Sequence, residues 1–161
     1  MSAVRRLGVA CAVAAFALDQ GSKAIVVASP ALAAGVEVLP FFNLVRGQNS
    51  GVTFGMFGGA PWWVLALLAL AIVAALSVWL WRAQNRLVAA ALGLLIGGAL
   101  GNVLDRLRHG AVTDFLDFYL GAYHWPAFNL ADVAVVSGVA LLLLDGFRAP
   151  QEQRQGEPEE G

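Results

Sequence analysis

The sequence predicts a mostly α-helical integral membrane protein: a four-transmembrane-helix bundle with a small extracytoplasmic β-module. Three observations carry that expectation. The chain is 59% hydrophobic and 13% charged, where soluble domains average about 45–50% apolar and about 25% charged. Four apolar stretches, residues 7–27, 62–81, 87–104 and 127–147, each approach the about 20 residues needed to cross a bilayer core of about 30 Å. Between the first two, residues 29–59 are broken by Pro30, Gly35, Pro40, Gly47, Gly51, Gly55, Gly58 and Gly59, which no helix would tolerate.

The first stretch follows Arg5 and Arg6, an arrangement shared with cleaved signal peptides. It reads instead as a span, because it is long enough, carries Asp19 and Lys23 in its far half and is followed by further spans. Asp19 and Lys23 lie four apart, on one helical face, in the favourable acid-before-base order. Taken alone they read as a local ion pair near the interface, with Lys23 snorkelling outward; the functional reading puts the same face against a polar site. Cys11 reads as a small buried apolar residue. In residues 29–59, Val36–Leu39 and Phe41–Val45 are rich in β-branched and aromatic residues and read as strands, with Val52–Phe54 expected to pair back across a turn at Gln48–Gly51. Phe41, Phe42, Phe54, Met56 and Phe57 are available to lie on lipid, although such aromatic sets more often serve packing.

Pro61 opens the second span, which has tryptophans at both ends and no charge. The third carries Gly93, Gly97 and Gly101 at four-residue spacing, which lets another helix backbone approach closely. The fourth begins with Asn129 and Asp132 and is then aliphatic. Residues 1–148 thus form one membrane domain, and the Pro-, Gln- and Glu-rich tail at 149–161 is expected to be disordered. Arg5, Arg6, Arg82, Arg86, Arg148 and Arg154 fall on one side, against Lys23, Arg46, Arg106 and Arg108 on the other. The positive-inside rule then puts both termini in the cytoplasm.

That orientation gathers Asp19, Asn49, Asn102, Asp105, Arg106, Asp114, Asn129 and Asp132 at the outer end of the bundle. Acids in such surroundings are costly unless they pair or do chemistry. A net charge of -1 offers no basic surface for nucleic acid. The lone cysteine excludes an intramolecular disulfide, and His109 and His124 lack HxxxH or HExxH spacing, so neither a zinc site nor a cofactor is expected. Asn102, Asp105 and Arg106 share one helical face, the last two satisfying each other or reaching across to fix the loop that follows. Two carboxylates in a low-dielectric pocket share a proton; one then activates water while the other polarises a scissile carbonyl. Spacing does not say which two. Asp105 beside Arg106 is expected to be ion-paired and Asp117 sits among Phe115, Phe118 and Tyr119, which leaves Asp114 and Asp132.

Five ordered blocks carry a resemblance: Asp19-Gln20-Gly21-Ser22-Lys23, Asn49-Ser50-Gly51-Val52-Thr53-Phe54, Gly97 through Arg106, Val112-Thr113-Asp114-Phe115, and Phe128-Asn129-Leu130-Ala131-Asp132. Together they resemble the lipoprotein signal peptidase (signal peptidase II) family of bacterial membrane aspartic proteases, over nearly the whole chain. The resemblance implies cleavage of lipid-modified prolipoproteins before the diacylglyceryl-carrying cysteine, at the extracytoplasmic face of the cytoplasmic (inner) membrane. It implies catalysis by Asp114 and Asp132, with supporting or substrate-binding positions at Asp19, Lys23, Asn49, Gly51, Asn102, Asp105, Arg106 and Asn129. It also implies membrane lipid as a partner and inhibition by globomycin-type peptides that occupy the dyad. The β-module and the Trp125/Phe128 region are expected to hold the signal helix and acyl chains. The competing class, a small ion- or proton-coupled transporter, would place its acids near the midplane and repeat them between halves, which these residues do not do.

Overall fold

Helix α4 (Arg86–His109) is the element against which the other long helices pack. The computed structural model describes residues 1–51 and 61–155. Helix α1 (Ala3–Ala28) is capped by Ser2, whose hydroxyl accepts from the Arg5 amide, and is followed by a single turn, α2 (Pro30–Ala33). Helices α3 (Trp62–Arg82) and α5 (Leu130–Gln155) complete the bundle. Among the described residues, four helices are long and apolar enough to cross a membrane. Large apolar side chains such as Ile25, Leu67, Val136 and Phe147 stay exposed along them, as a lipid-facing perimeter requires. The chain is a multi-pass membrane protein.

The boundaries differ from the hydropathy reading in instructive ways. Helix α4 runs past Leu104 to His109, because Asp105 turns inward to partners and does not end the helix. It stops at Gly110, whose left-handed φ of 70° lets its amide bond back to the Arg106 carbonyl. Helix α5 begins at Leu130, three residues late, since Phe128 pairs with a strand, and it continues to Gln155, past Gly146 and Pro150.

The glycines of α4 serve the predicted close approach. A Cβ on Gly93 would meet the Gly8 carbonyl and, at 2.8 Å, Cys11 Cβ; one on Gly97 would meet the Ala12 carbonyl and, at 2.9 Å, Ala15 Cβ. Cys11 itself is only half-buried, against the expectation of full burial. On the other side of α4, Gly98 faces the Ala131 backbone of α5. Gly97→Val is expected to cost about 1–3 kcal/mol by overpacking this parallel α1–α4 seam, read as a lowered Tm in detergent.

At one end of the bundle sits an antiparallel sheet in the order β1 (Val36–Leu39), β2 (Phe42–Asn49), β3 (Val112–Leu120), β4 (Tyr123–His124). The β-module is therefore larger than predicted. Its central partner is β3, from the segment expected to be a loop, with Asn43 opposite Asp117, Gly47 opposite Asp114 and Asn49 opposite Val112. The expected strand at Val52–Phe54, with Met56 and Phe57, lies outside the described residues. Phe42 packs on Phe118 at 4.7 Å between ring centroids, while Phe41 is exposed.

Candidate active site

The site is assembled where the ends of α1, α4 and α5 meet β2 and β3. The meeting of Asp114 with residues on α5 depends on a short backbone splice. The Phe128 carbonyl accepts from the amides of Phe115 and Leu116, and the Phe128 amide donates to the Leu116 carbonyl. Asp114 precedes one side of this bridge and Asn129 follows the other, so the two side chains face each other.

Asn129 and Asp132 form a capping box at the start of α5. Asn129 Oδ1 accepts from the Asp132 amide at 3.0 Å, and Asp132 Oδ2 accepts from the Asn129 amide at 3.2 Å. The other Asp132 oxygen accepts from Asn102 Nδ2 at 3.0 Å. Asp114 accepts from Asn129 Nδ2 at 2.7 Å on one oxygen and from Asn49 Nδ2 at 3.0 Å on the other. Asn49 is itself fixed by the Gly51 amide donating to its Oδ1, and Arg106 donates to the Gly51 and Asn102 carbonyls. Each carboxyl thus accepts two hydrogen bonds, short of the about four lone-pair sites available.

Asp114 and Asp132, with Asn49, Gly51, Asn102, Arg106 and Val112, line one cavity of about 120 Å³. Burial pushes the Asp114 carboxyl up from its ordinary 3.8 to about 6; the Asn49 and Asn129 hydrogen bonds resist this and the Asp132 charge adds to it. Its ionisation therefore opposes folding: the folded state holds this proton more tightly, and that contribution is lost as pH rises from 3.8 to about 6. Asn49→Ala removes one restraining hydrogen bond and is expected to move the Asp114 titration above 6, read as the pH at which its protonated carboxyl band disappears in infrared spectra.

Behind the cavity lies a buried charge network. Lys23 Nζ donates to Asp19 at 2.8 Å and to Asn102 Oδ1 at 3.0 Å and stands 3.0 Å from Asp105. Asp19 also accepts from the Ala131 amide and Asp105 from the Thr113 amide, both at 3.0 Å. The outward-snorkelling reading of Lys23 is corrected: its side chain is 4% exposed, because the carboxylates of Asp19 on its own helix and Asp105 on α4 draw it inward. Asp105 is ion-paired with Lys23 and not with adjacent Arg106, since consecutive helix positions point apart.

Sequence reasoning missed two features. Gln20 Nε2 donates to Asp19, Asp105 and the Gly101 carbonyl, tying the two acids together. Asp117 accepts from Asn43 and pairs with His124 Nδ1 at 2.9 Å, closing the β3–β4 turn at Gly121. Burial pushes the Asp117 carboxyl up, but the Asn43 and His124 hydrogen bonds and the His124 charge together hold it below 3.8.

Comparison with known proteins accords with this geometry. Residues 11–148 match the family described as signal peptidase (SPase) II. A lipoprotein signal peptidase of Beijerinckia indica is 49% identical over 119 residues, 72% of this chain and 71% of that protein. Another, from Yersinia pestis, is 47% identical over 147 residues, 88% and 87% of the two chains. A solved bacterial membrane enzyme, determined by the in meso method at 2.3 Å resolution, superposes with a TM-score of 0.81 at 29% identity, covering 94% of both chains. With sequence and architecture in agreement over nearly its whole length, the chain belongs to the signal peptidase II family of membrane proteases.

Proposed function

We propose that the chain is an aspartic endopeptidase that removes signal peptides from diacylglyceryl-modified prolipoproteins. It cuts before the lipidated cysteine, at the extracytoplasmic face of the bacterial inner membrane, with both termini in the cytoplasm. The observation that carries this reading is the small polar cavity onto which the carboxyls of Asp114 and Asp132 both open, at one end of a membrane bundle. A substrate anchored by acyl chains stays at that depth, where water can still enter.

Asp114, with its raised affinity for a proton, holds the proton shared by the dyad, and Asp132 serves as the base. Water lying between them gives a proton to Asp132 as its oxygen bonds to the scissile carbonyl carbon, and Asp114 passes its proton to the carbonyl oxygen. The tetrahedral diol then collapses. Asp132 delivers its proton to the departing nitrogen, the C–N bond breaks, and a diol hydroxyl returns a proton to Asp114. One water is consumed and the dyad is restored. Asn102 and Asn129 orient the carboxyls, and the Arg106 charge, which acts on both, favours the singly ionised dyad. Asn49 and Gly51 form the wall that meets the substrate, and a globomycin-type cyclic peptide is expected to fill the same cavity.

The test is to incubate the purified chain in detergent with one prolipoprotein, prepared with and without the diacylglyceryl group. Release of a product starting at the lipidated cysteine, from the modified form only, is the expected result. No cleavage, or equal cleavage of both forms, would overturn the reading.

A further inference from the structure

At the end of the bundle remote from Asp114 and Asp132, a groove of about 320 Å³ runs between α1 and α3. Its walls are Val9, Val13, Leu80, Trp81 and Ile96, and Arg5 stands at its mouth. The groove exists because α1 and α3 touch closely at Gly8, whose missing side chain would collide with Leu80, while the larger Val9, Val13 and Trp81 project outward around the contact. From Arg5 to Val13 the helix rises about 12 Å, most of one leaflet's share of a hydrocarbon core of about 30 Å.

Two observations say what fills it. The walls are apolar and lie on spanning helices, where water is a poor occupant and an acyl chain a natural one. The mouth is cationic and unsatisfied. The Arg5 guanidinium lies over the Trp81 ring at 4.5 Å, and its Nε is screened from solvent without an acceptor. Arg6, Arg82 and Arg86 belong to the same end of the bundle, where the Asp145 carboxylate accepts from Asn85 Nδ2. Guanidinium forks suit phosphate oxygens, and basic pockets between spanning helices suit anionic head groups.

We propose that this groove binds an anionic phospholipid, one acyl chain lying along α1 and α3 from Arg5 to Val13 and the phosphate accepting from Arg5. Trp81 closes the site at head-group level. The site is separate from the proteolytic cavity and does not depend on the reaction assigned there.

The experiment compares the purified full-length chain in a neutral detergent with added dioleoylphosphatidylglycerol or dioleoylphosphatidylcholine, scoring retained lipid by native mass spectrometry and stability by thermal unfolding. Expected is saturable retention of phosphatidylglycerol with a rise in Tm, and weaker retention of phosphatidylcholine. Arg5→Gln should weaken phosphatidylglycerol binding about tenfold, the worth of one charge-assisted hydrogen bond, whereas the exposed Arg6→Gln should change it little. Should Arg5→Gln fail to fold, Val13→Trp, at a lipid-facing position, blocks the groove and should abolish retention while leaving Arg5 in place. Equal binding of both lipids, equal losses from Arg5→Gln and Arg6→Gln, or full retention by Val13→Trp would each overturn the proposal.

Discussion

Asp114→Asn and Asp132→Asn are each expected to lower turnover by about 10³-fold or more while leaving a folded, membrane-inserted chain. The magnitude follows from the loss of a general acid or base, worth about 10²–10⁴ in rate, in a cavity where no other described carboxyl stands in line to replace it. The substitutions are isosteric, so packing survives; their costs differ because the carboxyls are held differently. Asp132 spends one oxygen on the Asn129 amide and the other on Asn102, so an amide there must surrender one of these bonds. A helix-cap loss of about 1 kcal/mol is expected alongside the kinetic effect. Asp114 likewise spends one oxygen on Asn129 and the other on Asn49, so its amide also surrenders one bond, but removing a charge that burial disfavours offsets part of that loss at neutral pH. Asp117→Asn, at the far part of β3 and bonded to Asn43 and His124, is the matched control and retains cleavage. Lipid-modified prolipoprotein as substrate and a circular dichroism spectrum for each variant complete the measurement. Intact turnover in both dyad variants would remove the assignment.

The four spans were legible because a bilayer demands about 20 apolar residues with little latitude, and the Gly93/Gly97 seam because close helix approach demands the absence of a side chain. What escaped was whatever depended on tertiary partners. Strand β3 hides its period: Val112, Thr113, Asp114 and Phe115 are all buried, so alternation between a wet and a dry face never appears. Hydropathy stops at the first charge, so the span it predicts ends before Asp105, which is an interior residue only because Lys23 and the Thr113 amide meet it. The polar convergence was readable from orientation alone. The wiring within it was not, since an asparagine's choice between Asp114 and Asp132 is set by the Phe128 splice and not by spacing. The role of Gln20 is hidden in the sequence for the same reason, since its partner Asp105 comes from α4.

Lys23→Met is expected to destabilise the chain by about 3–5 kcal/mol, the cost of removing one partner from a buried ionic cluster, lowering Tm in detergent by about 10 °C. An outward-pointing lysine would predict a change within about 0.5 kcal/mol, so the measurement separates the two pictures sharply. The size follows from burial: one ammonium, 4% exposed, pairs with both Asp19 and Asp105, whose side chains are 0% and 5% exposed. Without it, two carboxylates face each other in low dielectric, and at least one must take up a proton or drag water inward. The damage then propagates along named bonds. Asp19 holds the Ala131 amide next to Asp132, and Asp105 holds the Thr113 amide next to Asp114, so both arms that carry the dyad loosen together. Cleavage is therefore expected to fall even at temperatures where the variant remains folded. Lys23→Arg does not restore it, because a planar fork cannot occupy the space of a compact ammonium. Asp19→Asn added to Lys23→Met relieves part of the uncompensated charge, so the double variant should be less destabilised than the two single losses summed; strict additivity would mean that Lys23 and Asp19 do not share the interaction from which the whole polar end is built.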